Sequence, residues 1–135
     1  MIRAVVDTNV LFEGLTKQGS CGAVVDAWKE ERFVPCVSTA LALEYEATLT
    51  NKLGASKRRF AVGALSALLN RVEFIPIVYR VRPMSPDPDD DFVIECAFNA
   101  NASIVTRNVK DLRIAESALG VDVLKPSEFL VRLEE

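Results

Sequence analysis

Three carboxylates stand out by where they fall in the chain: Asp7, Glu44 and Asp90. Asp7 closes the apolar run Ile2-Arg3-Ala4-Val5-Val6 and is followed at once by Thr8-Asn9. Glu44 sits in an apolar helical stretch, and Asp90 opens another. Carboxylates brought together repel one another and are costly to desolvate unless a cation compensates them. The chain has no histidine, so an oxygen-only ligand set for a hard divalent ion, Mg²⁺ or Mn²⁺, is the economical expectation. The same absence removes Ser-His and Cys-His nucleophile pairs. Asp7 taken alone has an equally ordinary role as a helix N-cap or Asx-turn residue.

These side chains need elements to carry them. Short β-branched or apolar runs predict strands over 2–6, 33–37, 74–79, 102–106 and 121–124. Pro76 inside the third makes it an edge strand or a broken one. Between the strands lie a turn or short helix over 8–15 and helices over 21–32, 40–50, 57–70, 90–100 and about 112–118. Pro126-Ser127 opens a last helix, and residues 80–89 read as a polar, proline-rich loop. Ser20, Ser38-Thr39 and Ser56 are the helix-start signals. Regular alternation of strand and helix predicts one α/β domain over 1–135, three α/β/α layers around a mostly parallel sheet.

Sites in such sheets form beyond the carboxyl ends of the strands. Asp7 lies at one such end, and Thr106, Arg107 and Asn108 lie at another on the same edge. Within Asp87-Pro88-Asp89-Asp90-Asp91, Asp90 shares a helical stripe with Val93, Ile94 and Ala97. Asp89 and Asp91 fall about 100° to either side and are expected to face outward. An inward Asp90 is either an internal cap or a metal ligand. The pattern does not decide whether Glu44 or Glu46 points inward.

At 135 residues, half of them hydrophobic, the chain can bury a core and is no disordered segment. No apolar run approaches the roughly 20 residues that span a bilayer. Met1 leads straight into a strand without a basic, cleavable leader, so a cytoplasmic protein is expected. Cys21, Cys36 and Cys96 are odd in number and widely spaced, which argues against a zinc site or a disulfide framework. The net charge of −3 excludes broad phosphate neutralisation. Contact with nucleic acid would have to be local, metal-assisted or supplied by an oligomer. Lys52, Lys57, Arg58 and Arg59 surround a helix start, where positive charge opposes the helix dipole and hints at an anionic partner. Arg107 and Lys110 are better placed if Asn108 borders the site.

Asp7-Thr8-Asn9-Val10-Leu11 after an N-terminal strand resembles the opening of PIN-domain nucleases. The stretch from Ser38 to Leu49 resembles their second helix, with the family's glutamate on Glu44. Asp87 to Asp91, then Ala97 and Ile104-Val105-Thr106-Arg107-Asn108, resembles their third signature and sets the third acid on Asp90. The resemblance runs through nearly the whole chain and is strongest to VapC-like toxin ribonucleases of toxin–antitoxin pairs. It implies Asp7, Glu44 and Asp90 as catalytic metal ligands for Mg²⁺ or Mn²⁺, with Thr8, Asn9 and Thr106 orienting them. It further implies RNA as substrate, an antitoxin partner and a homodimer; the basic residues Arg58, Arg59, Arg107 and Lys110, singled out above by position, are then the expected RNA contacts. One departure is Asn108, where many members carry a fourth acid; Asn108 itself or Asp111 would then complete the metal set. That departure also leaves room for a binding module without catalysis. A housekeeping RNA-processing nuclease is a further alternative. A phosphotransferase using Asp7 as nucleophile lacks its usual Asp-x-Asp, since position 9 is Asn.

Overall fold

The computed structural model describes residues 1–17, 19–82 and 84–135. Pro83, in the expected loop over 80–89, lies outside the described residues. The chain runs β1 (Arg3–Val6), α1 (Thr8–Thr16), α2 (Ser20–Lys29), β2 (Val34–Val37), α3 (Thr39–Lys52) and α4 (Ala55–Leu69). It continues with β3 (Glu73–Phe74), α5 (Pro88–Ala100), β4 (Ser103–Val105), α6 (Val109–Leu119), β5 (Val123–Leu124) and α7 (Pro126–Glu134). The five strands form one parallel sheet in the order β3-β2-β1-β4-β5. From β1 the sheet grows outward through β2 to β3. The chain then crosses back to β4 and grows the other way. With right-handed crossovers that reversal sends α5 and α6 to the face opposite α1–α4, giving three layers. The crevice between the ends of β1 and β4 is the switch point where such sheets place their sites.

Several boundaries differ from the sequence reading for definable reasons. β3 stops at Phe74, before Pro76, and the residues beyond it do not extend the sheet as a strand over 74–79. Proline removes the donor a ladder needs, and β3 lies at the sheet's edge. The N-cap positions of α2 and α4 fall on Gly19 and Gly54 rather than on Ser20 and Ser56. Ser38 does cap α3, its hydroxyl accepting the Leu41 N–H at 3.2 Å. α5 starts at Pro88, two residues before the expected Asp90, because Asp87 caps it and proline needs no donor in the first turn.

One expectation about orientation fails. Helical projection turns Asp91 outward, yet it is 3% exposed. The side of α5 that a lone helix would show to solvent is covered by residues 78–82 and 84–85, and Asp91 accepts the Ser85 N–H at 2.8 Å.

Trp28, Phe33, Tyr45 and Phe129 form a chain of edge-to-face contacts, from 5.0 Å for Phe33–Phe129 to 6.4 Å for Trp28–Tyr45. Trp28 also donates its indole N–H to the Leu68 carbonyl at 3.1 Å, pinning α4 to α2. Gly14 lets α1 and α2 touch: a Cβ there would lie 2.6 Å from the Cys21 carbonyl oxygen. All three cysteines are free and buried. No helix among the described residues is long and apolar enough to cross a membrane.

Candidate active site

Asp7 is anchored by backbone and side chain. Its N–H extends the sheet ladder to the Val105 carbonyl at 2.9 Å. Its Oδ2 accepts the Thr106 hydroxyl at 2.7 Å, and Thr106 Oγ1 in turn accepts the Asn108 N–H at 2.9 Å. The ends of β1 and β4 are thereby locked together, with Asp7 only 4% exposed. Asp7 occupies the N-cap position of α1, but its side chain makes no capping bond to that helix. Burial pushes its carboxyl above the usual range, against the pull of the Thr106 hydroxyl and the Thr8 amide.

α3 brings Glu44 to the same place. Tyr45, fully buried beside it, donates its hydroxyl to the Val6 carbonyl and so fastens α3 to the end of β1. That contact fixes the rotation of α3. Glu44 is half-buried with Thr48 donating to its Oε1 at 3.3 Å, while Leu43 and Glu46 face outward. Burial raises the Glu44 carboxyl above its ordinary value, and Asp89 across the cleft raises it further.

The first turn of α5 supplies the third wall. Asp87 accepts the Asp89 N–H at 3.0 Å, and Asp90 enters the cleft one residue later. Asp90 is pushed up to about 7, first by desolvation and then by the charges of Asp7, Asp87, Asp111 and Asp89. Its buried Oδ2 has no hydrogen-bond partner among the described residues. An unpartnered carboxylate oxygen amid other carboxylates calls for a proton or a cation.

Asp7, Glu44 and Asp90 thus line one cleft of about 220 Å³, together with Asp87, Asp89, Thr8, Asn9, Thr48 and Lys52. Larger cavities lie at the amino ends of β1 and β4 and between α1 and α4, and neither gathers acids of this kind. As the side chains stand, no three acidic or thiol groups among the described residues are close enough together to hold one ion. The donor chemistry nonetheless fits a hard cation. The donors are all oxygen, the carboxyls of Asp7, Glu44 and Asp90 are held above their ordinary values, and one buried oxygen is unused.

The remaining candidates fall at or beyond the rim. Asn108 donates its amide to Asp111 Oδ2 at 2.7 Å, and the two stand outside the cleft wall, although the Asp111 charge is felt at Asp90. Arg107 is engaged in an ion pair with Glu13. Lys110 and Arg59 are exposed, and Arg58 is exposed with its guanidinium on the Leu53 carbonyl at 3.2 Å. The sequence reading does not place Asp87, Asp89 or Thr48 in the site, and it notes Lys52 only as part of a basic run. A signal for Thr48 is present, since it lies one helical turn after Glu44. Lys52 lies one turn further on, at the end of α3, with its ammonium 5.2 Å from the centre of the Phe12 ring.

The sequence model of the family described as PIN domain matches residues 3–110. No curated protein matches the sequence. Among solved structures, VapBC2 from Rickettsia felis, bound to a DNA fragment from its promoter, is similar with a TM-score of 0.65 at 16% identity, over 92% of this chain and 98% of that one. FitAcB from Neisseria gonorrhoeae gives 0.64 at 18% identity over 92% and 98%. VapBC-1 from nontypeable Haemophilus influenzae gives 0.64 at 12% identity over 93% and 99%. At these identities the likeness is one of fold.

Proposed function

The chain belongs to the PIN domain family, and from that premise we propose that it is a metal-dependent endoribonuclease, the toxin of a toxin–antitoxin pair. The observation that carries this reading is the convergence of Asp7, Glu44 and Asp90, from three separate elements, on one cleft at the switch point of the sheet. Asp7, Glu44 and Asp90 would hold Mg²⁺ or Mn²⁺. When bound, such an ion polarises a phosphoryl oxygen and activates water for attack on a phosphodiester. The protein's own residues supply the rest. Thr106 keeps Asp7 aimed into the cleft from behind. Thr48 does the same for Glu44. Lys52, steadied by the Phe12 ring, offers a positive charge at the acidic rim where an RNA phosphate would arrive. This local charge suits a protein whose net charge is −3.

The toxin assignment draws on the resemblance to VapC-like proteins and on the VapBC assemblies among the structural neighbours. We assign the antitoxin to the groove between α1 and α4. There Phe60 is 73% exposed beside Leu15 and Leu53, and Lys57 offers charge to an acidic apolar segment. A homodimer and a cytoplasmic location belong to the same reading.

The test is cleavage of single-stranded RNA by the purified chain with Mn²⁺ or Mg²⁺ and with EDTA. We expect fragments only in the presence of the ion. RNA left intact in Mn²⁺ at high protein concentration would falsify the nuclease and favour a binding module. The bond that occupies Asn108 and Asp111 with each other lends that alternative its support. The toxin role is checked by co-expression with the product of the adjacent upstream reading frame. It should co-purify with the wild type and be lost from Phe60→Asp. Absence of a short DNA-binding protein there would point to a housekeeping nuclease.

A further inference from the structure

Along α5, Asp91, Glu95 and Asn99 recur every four residues and so form one stripe. Each grips the backbone that precedes the helix. Asp91 accepts the N–H groups of Met84 at 3.2 Å and Ser85 at 2.8 Å. Glu95 accepts the Val81 N–H at 3.2 Å and the Arg82 guanidinium at 3.0 Å. Asn99 accepts the Val78 and Tyr79 N–H groups, both at 2.9 Å, and donates to the Tyr79 carbonyl at 2.8 Å. This backbone therefore runs antiparallel to α5, strapped to it by polar contacts.

Burial holds the strap only in part. Val81 and Met84 pack half-buried against the core, whereas Val78 and Tyr79 are exposed, with the Tyr79 ring edge-on to Phe98 at 6.0 Å and Arg82 over the Phe92 ring at 4.6 Å. Glu95, by contrast, is 2% exposed, and its salt-bridge partner among the described residues is Arg82. A buried carboxylate is costly even when paired, and an apolar residue would pack there at less cost. The far end of the strap gives the charge a purpose. The Ser85 hydroxyl donates to the Asp87 carbonyl at 2.7 Å and accepts the Asp87 N–H at 3.1 Å. The Asp87 carbonyl accepts the Asp90 N–H at 3.0 Å. Through Met84 and Ser85, the Asp91 end of the strap is thus tied to the turn from which Asp87, Asp89 and Asp90 enter the cleft. That turn concentrates like charge against Asp7 and Glu44, so it is where α5 would fray without restraint.

We propose that Glu95 and Asp91 are positioning residues. By clamping the preceding backbone onto α5, they hold its first turn, and with it Asp90, in place for the divalent cation. This rests on the metal-dependent reading above. The test pairs two measurements on the purified full chain, amide hydrogen exchange and Mn²⁺ binding by calorimetry without RNA. In Glu95→Gln, exchange at Val81, Met84 and Ser85 should quicken and Mn²⁺ affinity should fall about tenfold, the low end for residues that support metal ligands. Asn99→Ala, at a half-buried position further from the cleft, tests the same strap if Glu95→Gln fails to fold, and the same two changes are expected. Faster exchange with unchanged Mn²⁺ affinity would overturn the proposal, as would unchanged exchange. Wild-type protein that binds no Mn²⁺ would bring down the metal-dependent reading together with this proposal.

Discussion

At Asp7 and Asp90, the proposed function and stability pull in opposite directions. Both carboxyls are held above their ordinary values by burial, and Asp90 also faces four neighbouring acids. Neutralising either removes a charge that folding must desolvate. We therefore expect Asp7→Asn and Asp90→Asn to lower RNA cleavage by at least about 10²-fold, the scale of losing one group that stabilises developing charge. Neither should lower the melting temperature of the metal-free protein at about pH 8. In Asp7→Asn the amide oxygen can still accept the Thr106 hydroxyl, so the β1–β4 clasp survives. Retained cleavage in Asp7→Asn, or a collapsed melt, would count against the site. Asp7 was legible because a polar residue ending an apolar strand is conspicuous, and Asp90 because of its stripe with Val93 and Ala97. Glu44 was ambiguous with Glu46 because α3 has apolar residues on several sides, and only the bond from Tyr45 to Val6 sets its rotation. Asp91 misled because the projection assumed solvent where chain packs.

The elements matter here through what they fasten. Tyr45 connects α3 to β1 one residue before Asp7, so it holds two walls of the cleft in register. Tyr45→Phe keeps the ring's contact with Trp28 but removes the hydroxyl from a fully buried position. We expect a loss of about 1–3 kcal/mol in urea unfolding, the usual cost of leaving a buried polar group unsatisfied. Weaker Mn²⁺ binding should accompany it. A loss under about 0.5 kcal/mol, the low end for one hydrogen bond, would show that α3 is fixed by packing alone. The alternation of strands and helices was legible throughout, since apolar runs of a few residues bounded by caps admit few other readings. The weakest boundaries were those set by tertiary context. β3 needed its neighbour β2 to define two residues of ladder. The strap along α5 is fastened by polar contacts that no hydrophobic pattern announces, and their trace in the sequence is the four-residue spacing of Asp91, Glu95 and Asn99.

For the whole molecule, a parallel sheet with its switch point lined by acids carries electrostatic repulsion that a bound cation would relieve. The sign follows from linkage. Asp90 has a folded value of about 7 against an ordinary 3.8, and Asp7 and Glu44 are shifted in the same direction. Between those values the folded state holds more protons than the unfolded one, so stability falls as pH rises. The metal-free protein should melt highest near pH 4–5 and progressively lower toward pH 8, unless acid effects elsewhere intervene below that window. A divalent ion competes with those protons, because it needs the carboxylates ionised. At pH 8, Mn²⁺ at about 100 times its Kd should add about 2.7 kcal/mol by mass action. The same concentration at pH 5 should add much less, since Asp90 then carries a proton. Melting curves at several pH values, with and without Mn²⁺, separate these terms. Glu46→Gln, which removes an equal charge from the outward side of α3, should leave the pH slope in place, whereas Asp90→Asn should flatten it. A slope unchanged by Asp90→Asn, or an equal Mn²⁺ effect at both pH values, would mean that the cleft is not where proton and cation compete.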